Sequence, residues 1–150
     1  MKVGQVCTRH AVTVGPGDSV IDAARTMREE HVGAVVVAES RSGVTAPVGV
    51  LTDRDIVVAI VARGIEKIGA LEVRDVVVRE VVTASDGEDV ASALERMCLN
   101  ASRRVPVVDA AGALVGVLSL DDVIAELSQN LSAAAKIVVA QRRDERRRRG

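Results

Sequence analysis

Two short stretches of this 150-residue chain have residue types and spacing that could do chemistry. They are Gly49-Val50-Leu51-Thr52-Asp53-Arg54-Asp55 and Gly116-Val117-Leu118-Ser119-Leu120-Asp121-Asp122. In each, an apolar run ends at a hydroxyl residue, and a carboxylate follows three positions later. Where a strand gives way to a helix, such a pair can form a capping box: the hydroxyl caps the helix and the carboxylate reaches back to the cap's own N–H. Asp is short for that task, which usually falls to Glu or Gln. The same atoms could instead hold a nucleoside phosphate. Open N–H groups at a helix start attract phosphate, the hydroxyl donates a further hydrogen bond, and a carboxylate accepts from the paired hydroxyls of a ribose. The motif by itself leaves both readings open.

Little else in the sequence offers chemistry. The chain has no Phe, Tyr or Trp, so it lacks the aromatic platforms on which RNA-binding sheets and single-strand channels stack bases. His10 and His31 lie in different segments, too few for a zinc site or a histidine-centred triad. His31 falls at a helix end, where a cation suits the dipole, or else reaches a ligand. Cys7 and Cys98 lack metal or redox spacing and imply a reducing cytoplasm. Gly15-Pro16-Gly17-Asp18-Ser19 lacks the Gly-Lys-Ser/Thr of a phosphate loop and reads as a turn into a helix. With no nucleophile–base pair, metal cluster or Walker lysine, no enzymatic activity and no catalytic cofactor are expected.

The elements that must position these residues are written twice. A shift of 70 carries Val3, Val6, Arg9, Val12, Thr13, Val20, Ala23 and Met27 onto Val73, Val76, Arg79, Val82, Thr83, Val90, Ala93 and Met97. The shift then reads as 71, placing Val36-Val37 on Val107-Val108. After a loop four residues longer in the first copy it becomes 67, and Val48 to Thr52 meets Val115 to Ser119. Each copy reads as β-α-β-β-α. In the first, Ala11 to Val14 is a strand, and Asp18 or Ser19 caps a helix to about Glu30 whose apolar positions are Val20, Ala24 and Met27. The matching positions of the second copy are Val90, Leu94 and Met97. Ala34 to Val37 and Pro47 to Leu51 are strands around a Ser-Gly-rich loop, Glu39 to Ala46. A last helix runs from Thr52 to before Gly64. Its segment Ile56 to Ala62 has more β than helix propensity, but its counterpart Asp122 to Leu127 is plainly helical. An apolar sheath on that helix predicts burial on several sides, against the body or a second subunit. Each half alone would be marginal. Packed with pseudo-two-fold symmetry they form one α/β (α+β sandwich) domain with a cleft between them.

These residues resemble the CBS domain family (cystathionine-β-synthase type) over roughly residues 3–63 and 73–128. The resemblance rests on Gly-hydrophobic-hydrophobic-Thr/Ser-x-x-Asp in both copies, preceded by helices with Ala and Met in place. It implies a tandem pair that dimerises through the repeat helices into a flat disc. It also implies an adenosine compound such as AMP, ATP, NAD or S-adenosylmethionine bound between the repeats. By the resemblance, Asp55 and Asp122 would hold ribose, and Thr52 and Ser119 would contact ribose or phosphate. Thr13 and Val14, with Thr83 and Ala84, lie on the strand that lines the base pocket. The boundaries expected are 1–65 and 73–128 for the repeats, 66–72 for the linker, and 129–150 for a C-terminal helix and basic tail. The implied function is a stand-alone regulatory module acting on an unidentified protein; the alternative is a ligand-free dimerisation scaffold.

Charge separates the copies further. Arg54 precedes the first carboxylate, but Asp121 precedes the second. A unit charge at about 4 Å counts for about 4 kcal/mol at an effective dielectric near 20, so the Thr52/Asp55 site is expected to take phosphate better. Arg103-Arg104 either supplies phosphate charge from the opposite repeat or is a solvated strand start. Residues 1–135 carry 13 Lys+Arg against 19 Asp+Glu, a net of −6, whereas residues 136–150 carry 7 against 2, a net of +5. Leu120, Ile124, Leu127, Leu131, Ala134 and Val138 step by four and three, the seam of a helix reaching about Gln141. That seam packs on its own body or on a second copy. The arginine-rich end beyond it reads as frayed and solvated, and one short basic run on an acidic body gives little support to nucleic-acid binding. The longest uncharged apolar run, Ile56 to Ala62, falls far short of the roughly 18 residues a membrane span needs, and no signal peptide is expected at the start of the chain.

Overall fold

The structure is a computed structural model, and it describes residues 1–77 and 80–149. Arg79, the repeat partner of Arg9, lies outside the described residues. The element order is α1 (Val3–Val6), β1 (Thr13–Val14), α2 (Val20–Glu29), β2 (Ala34–Arg41), β3 (Val44–Thr52) and α3 (Asp53–Ile56), which widens into a π turn over Val57–Val61. The second half repeats it as α4 (Val73–Val76), β4 (Ala84–Ser85), α5 (Val90–Leu99), β5 (Arg104–Val108), β6 (Leu114–Ser119) and α6 (Leu120–Arg149). Each half holds a three-stranded sheet, β1-β2-β3 and β4-β5-β6, with the first pair parallel and the second antiparallel. A mixed α/β fold with two small sheets and a C-terminal helix is therefore what the chain adopts.

Strand pairing corrects the repeat register. Val37 faces Gly49 across the first hairpin and Val107 faces Gly116 across the second. The shift thus stays at 70 through β2 and becomes 67 only after the hairpin turn, with no step of 71. Both sheets break register just after these residues, at Val37/Ala38 and Val107/Val108. The bulge skips Val48 in one copy and Val115 in the other, and this conserved irregularity made the valine runs look offset by one. The presumed loop Glu39 to Ala46 is also strand, with Arg41 paired to Val44 around Ser42 and Gly43. Both turn residues have positive φ, 52° and 80°, the two-residue geometry that follows strand twist.

The α2 helix starts where Ser19 Oγ accepts from Asp22 N–H at 3.0 Å. Its inward face is Val20, Ala23 and Met27, and α5 matches it with Val90, Ala93 and Met97. Ala23 and Ala93 take the places that Ala24 and Leu94 were expected to fill. The α3 segment is helical despite its β-branched residues, and the π turn accommodates them. Of its apolar sheath only Ile60 is buried; Val57, Val58 and Val61 are more than half exposed. Helix α6 runs on through the arginine run to Arg149, further than the expected end at Gln141. It contains an 18-residue stretch of mean hydropathy 1.2, long and apolar enough to cross a membrane by length and composition. The uncharged-run criterion overlooked this stretch because Glu126 and Lys136 interrupt it. Its seam residues share one side, with Gln129, Ser132 and Lys136 opposite, so the helix is two-sided and not apolar all round.

The two halves exchange their leading segments. Residues Met1 to Thr8 leave the first sheet and dock on the second half: Val3 N–H donates to Glu88 O (3.0 Å) and Gly4 N–H to Asp86 O (2.9 Å). Thr8 and Val117 exchange two backbone hydrogen bonds of 2.9 Å. Val3 and Cys7 join the core of Ala84, Val90, Ala93, Met97, Val105, Val107, Leu118 and Val123. Reciprocally, Val73 N–H donates to Asp18 O and Arg74 N–H to Pro16 O, both at 2.9 Å. Val73, Val76 and Val77 pack on the core of Val14, Ala23, Met27, Val35, Val37 and Leu51. Two glycines clear the crossings: a Cβ on Gly116 would strike the Thr8 carbonyl, and one on Gly49 would strike Val77.

Gly116→Val should therefore dislodge the leading segment. The expected loss is about 1–3 kcal/mol in urea denaturation, with faster labelling of Cys7, which is buried in that core and whose thiol burial pushes up in pKa. Gly43→Asn, in the open hairpin turn, should stay within about 0.5 kcal/mol of the parent. Equal stability of the two variants would contradict the crossing.

Candidate functional site

Both hydroxyl–carboxylate pairs form complete capping boxes. Thr52 Oγ1 donates to Asp55 Oδ2 (2.7 Å), and Asp55 N–H donates back to Thr52 Oγ1 (3.1 Å). Thr52 N–H also donates to Asp55 Oδ2 at 2.9 Å. The second pair repeats this, with Ser119 Oγ to Asp122 Oδ2 at 2.5 Å and Asp122 N–H to Ser119 Oγ at 3.1 Å. Asp is long enough here because its Oδ2 collects both the cap hydroxyl and the cap N–H. The Oδ1 atoms of Asp55 and Asp122 have no hydrogen-bond partner among the described residues. One edge of each carboxylate thus holds the helix while the other stays open to an incoming donor.

The two pairs differ in their surroundings. Ser119 and Asp122 are half-buried and line a cleft of about 290 Å³ between the halves. The rest of the lining is Thr8, His10, Ala11 and Val12, on the segment that runs between the halves, together with residues 31 to 36 around the start of β2. Val50 and Val117 add apolar surface, and Arg104 and both histidines of the chain, His10 and His31, add polar groups. Asp55 and Arg54 are exposed, and neither they nor Thr52 lie on this cleft. The structure thus brings together Ser119, Asp122 and Arg104.

The other candidate residues lie elsewhere. Thr13 borders a separate shallow pocket with Arg9, Thr45 and Leu114. Val14 and Ala84 are buried in the two cores, so only their backbone could meet a ligand. Thr83 is half-buried just before β4. Arg103 pairs with its own repeat: its Nη2 lies 3.1 Å from Asp121 Oδ1. This exposed pair offsets part of the negative charge that sets the second site apart, while Arg54 still stands beside Asp55.

Sequence reasoning left a ligand contact open for His31 but missed the rest of the wall, Thr8, His10 and residues 32 to 36. His31 sits at φ +54° at the end of α2, and Ala101 holds the matching place after α5 at φ +48°. Each helix closes with the residue after it donating back, Val32 N–H to Met27 O (3.0 Å) and Ser102 N–H to Met97 O (2.9 Å). This is a left-handed C-cap that usually falls to glycine. A histidine in a place that glycine usually takes was the available signal. Gly33, next along, leaves Asp53 Oδ2 room at 3.2 Å from where a Cβ would stand.

Ser119→Ala and Thr52→Ala should each cost about 1 kcal/mol of stability, the usual worth of a helix cap, read by urea denaturation. A cost well below that at both positions would show that the boxes do not hold the helices.

Comparison with known proteins agrees with this architecture. The family model for the CBS domain matches residues 3–62 and 73–129. The chain is 33% identical over 135 residues to the CBS domain-containing protein YhcV of Bacillus subtilis, covering 90% of this chain and 91% of that one. It is 30% identical over 124 residues to an uncharacterized protein of Methanopyrus kandleri, covering 83% of this chain but only 61% of the relative. Among solved structures, it superposes with a TM-score of 0.74 on the CBS domain pair of protein MJ0100 in complex with 5′-methylthioadenosine and S-adenosyl-L-methionine. That match has 21% identity and covers 87% of this chain and 98% of the other.

Proposed function

Because this chain belongs to the CBS domain family, we propose that it is a regulatory module that binds an adenosine compound in the cleft between its repeats, with no reaction of its own. The observation that carries the reading is the cleft itself: the Ser119/Asp122 hook of one repeat faces a wall supplied by the other. In this reading the open Asp122 Oδ1 accepts from ribose hydroxyls, and the Ser119 helix start and Arg104 meet phosphate. The purine lies against aliphatic side chains such as Val12 and Val50, in place of the aromatic residues the chain lacks. The candidate ligands are AMP, ATP, NAD and S-adenosylmethionine; protein MJ0100 is a structural neighbour with such compounds bound.

A ligand that touches both walls favours the assembled pair over any state in which the halves separate, and this differential affinity is what lets a small molecule shift a partner protein's state. The regulated protein is unidentified. A second copy of the chain is the proposed partner in assembly, through the exposed apolar side chains of the repeat helices, Val57, Val58 and Val61. Two unpaired thiols, Cys7 and Cys98, fit a reducing cytoplasm.

Without Trp or Tyr the chain hardly absorbs at 280 nm, so a co-purified nucleotide would show as a peak near 260 nm. In calorimetry with AMP, ATP, NAD and S-adenosylmethionine, at least one should bind. Asp122→Ala should weaken that binding by about 10–100-fold, the range for a hydrogen bond to a charged group, and Asp55→Ala by less than about threefold. Arg104→Ala should weaken ATP more than adenosine. Absence of binding by all four compounds would leave the dimerisation scaffold as the reading, and loss on Asp55→Ala alone would place the site in the other repeat.

A further inference from the structure

Helix α6 continues for 20 residues past the family match, which ends at residue 129. From Leu127 to Arg149 every residue is exposed. The seam residues Ile124, Leu127, Leu131 and Val138 are 56%, 52%, 74% and 51% exposed. Of the stripe only its first residue, Leu120, packs on the body's own core; from Ile124 on the arm has its apolar side uncovered. Its end carries Arg142, Arg143 and Arg146 to Arg149, a net of +5 over residues 136–150, against a body of net −6.

We propose that this arm pairs antiparallel with the same arm of a second copy. Its steps of four and three set the layers: Leu127 packs over Val138 of the partner subunit, and Leu131 over the partner's Ala134. In this register the positions flanking the seam place Asp121, whose Oδ1 meets Arg103 of its own copy, with its other oxygen beside the partner's Arg142, and symmetry provides the contact twice. The basic end of each arm then runs over the acidic body of the other copy. A parallel pair would set the two arginine runs side by side, within about a Debye length of each other, and like charges at that spacing oppose pairing. The arm is a poor membrane-surface helix: beside its apolar stripe the polar side carries Glu126, Gln129 and Ser132 with only Lys136 as a cation, the arginines follow after the stripe has ended at Val138, and it has no aromatic residue. The pairing shares with the reading above only the presence of a second copy, and it needs no nucleotide.

The test uses the full chain in a Cys98→Ser background. Leu127→Cys and Val138→Cys variants are oxidised separately and as an equilibrated mixture, with light scattering on each. Antiparallel arms give a disulfide between the two variants in the mixture and none in either alone, because like positions lie 11 residues apart, beyond disulfide reach. Leu131→Asp, at an exposed position that leaves the fold intact, should weaken dimerisation at least tenfold, and Arg142→Glu about fivefold. Self-linking of either variant alone means parallel arms and overturns the proposal. A dimer that persists with no cross-link in the mixture leaves assembly through the repeat helices standing and overturns the arm pairing. A monomer that co-sediments with phosphatidylserine vesicles or retards duplex DNA overturns it as well, and assigns the arm to a membrane or to nucleic acid.

Discussion

The constraint on which the rest of the structure depends is the exchange of leading segments between the two halves. Neither three-stranded sheet has a closed core of its own: each needs valines from the stretch of chain that precedes the other repeat. Val3 and Cys7 complete one core, and Val73 and Val76 the other. Two glycines at equivalent strand positions, Gly49 and Gly116, leave room for the crossings. The chain therefore cannot fold as two independent beads. The cleft follows directly, since the segment that crosses to pair Thr8 with Val117 becomes its wall on the way.

Within that cleft, the motif most open to a chemical reading also has a structural use. Ser119 and Asp122 close a capping box, but a box occupies only one edge of the carboxylate. The helix fixes the aspartate, so a ligand meeting its other oxygen would find it already oriented and lose little entropy in ordering it. A capping role and a binding role are compatible at one residue, and choosing between them from the motif was a false alternative. What separates the two copies is their surroundings: one box faces the opposite repeat and the other lies exposed.

Much of this was legible in the residues. The duplication, the β-α-β-β-α order and the strand-to-helix position of Thr52 and Ser119 all follow from local pattern. Three features did not. The shared bulge after Val37 and Val107 made the valine runs seem to slip by a residue, because a run of identical β-branched side chains carries no register mark. The Ser-Gly stretch looked like a loop, although two residues at positive φ are enough to turn a hairpin. For Arg103 the residues left a phosphate contact and a solvated strand start both open, because its partner Asp121 stands 18 positions away in the sequence and is adjacent only once the hairpin forms. The place of His10 was a fourth. His10 lies on the crossing segment, and nothing local in its sequence says which half that segment will join.

The account's central claim is that one ligand is held by both repeats at the Ser119/Asp122 cleft. Hydrogen–deuterium exchange of the full chain tests it most directly, with and without saturating AMP, ATP, NAD or S-adenosylmethionine. The account predicts that an active compound slows exchange together in residues 8–12, 31–36 and 119–122, which belong to opposite halves. Protection confined to residues 52–55, or to one half alone, would contradict it.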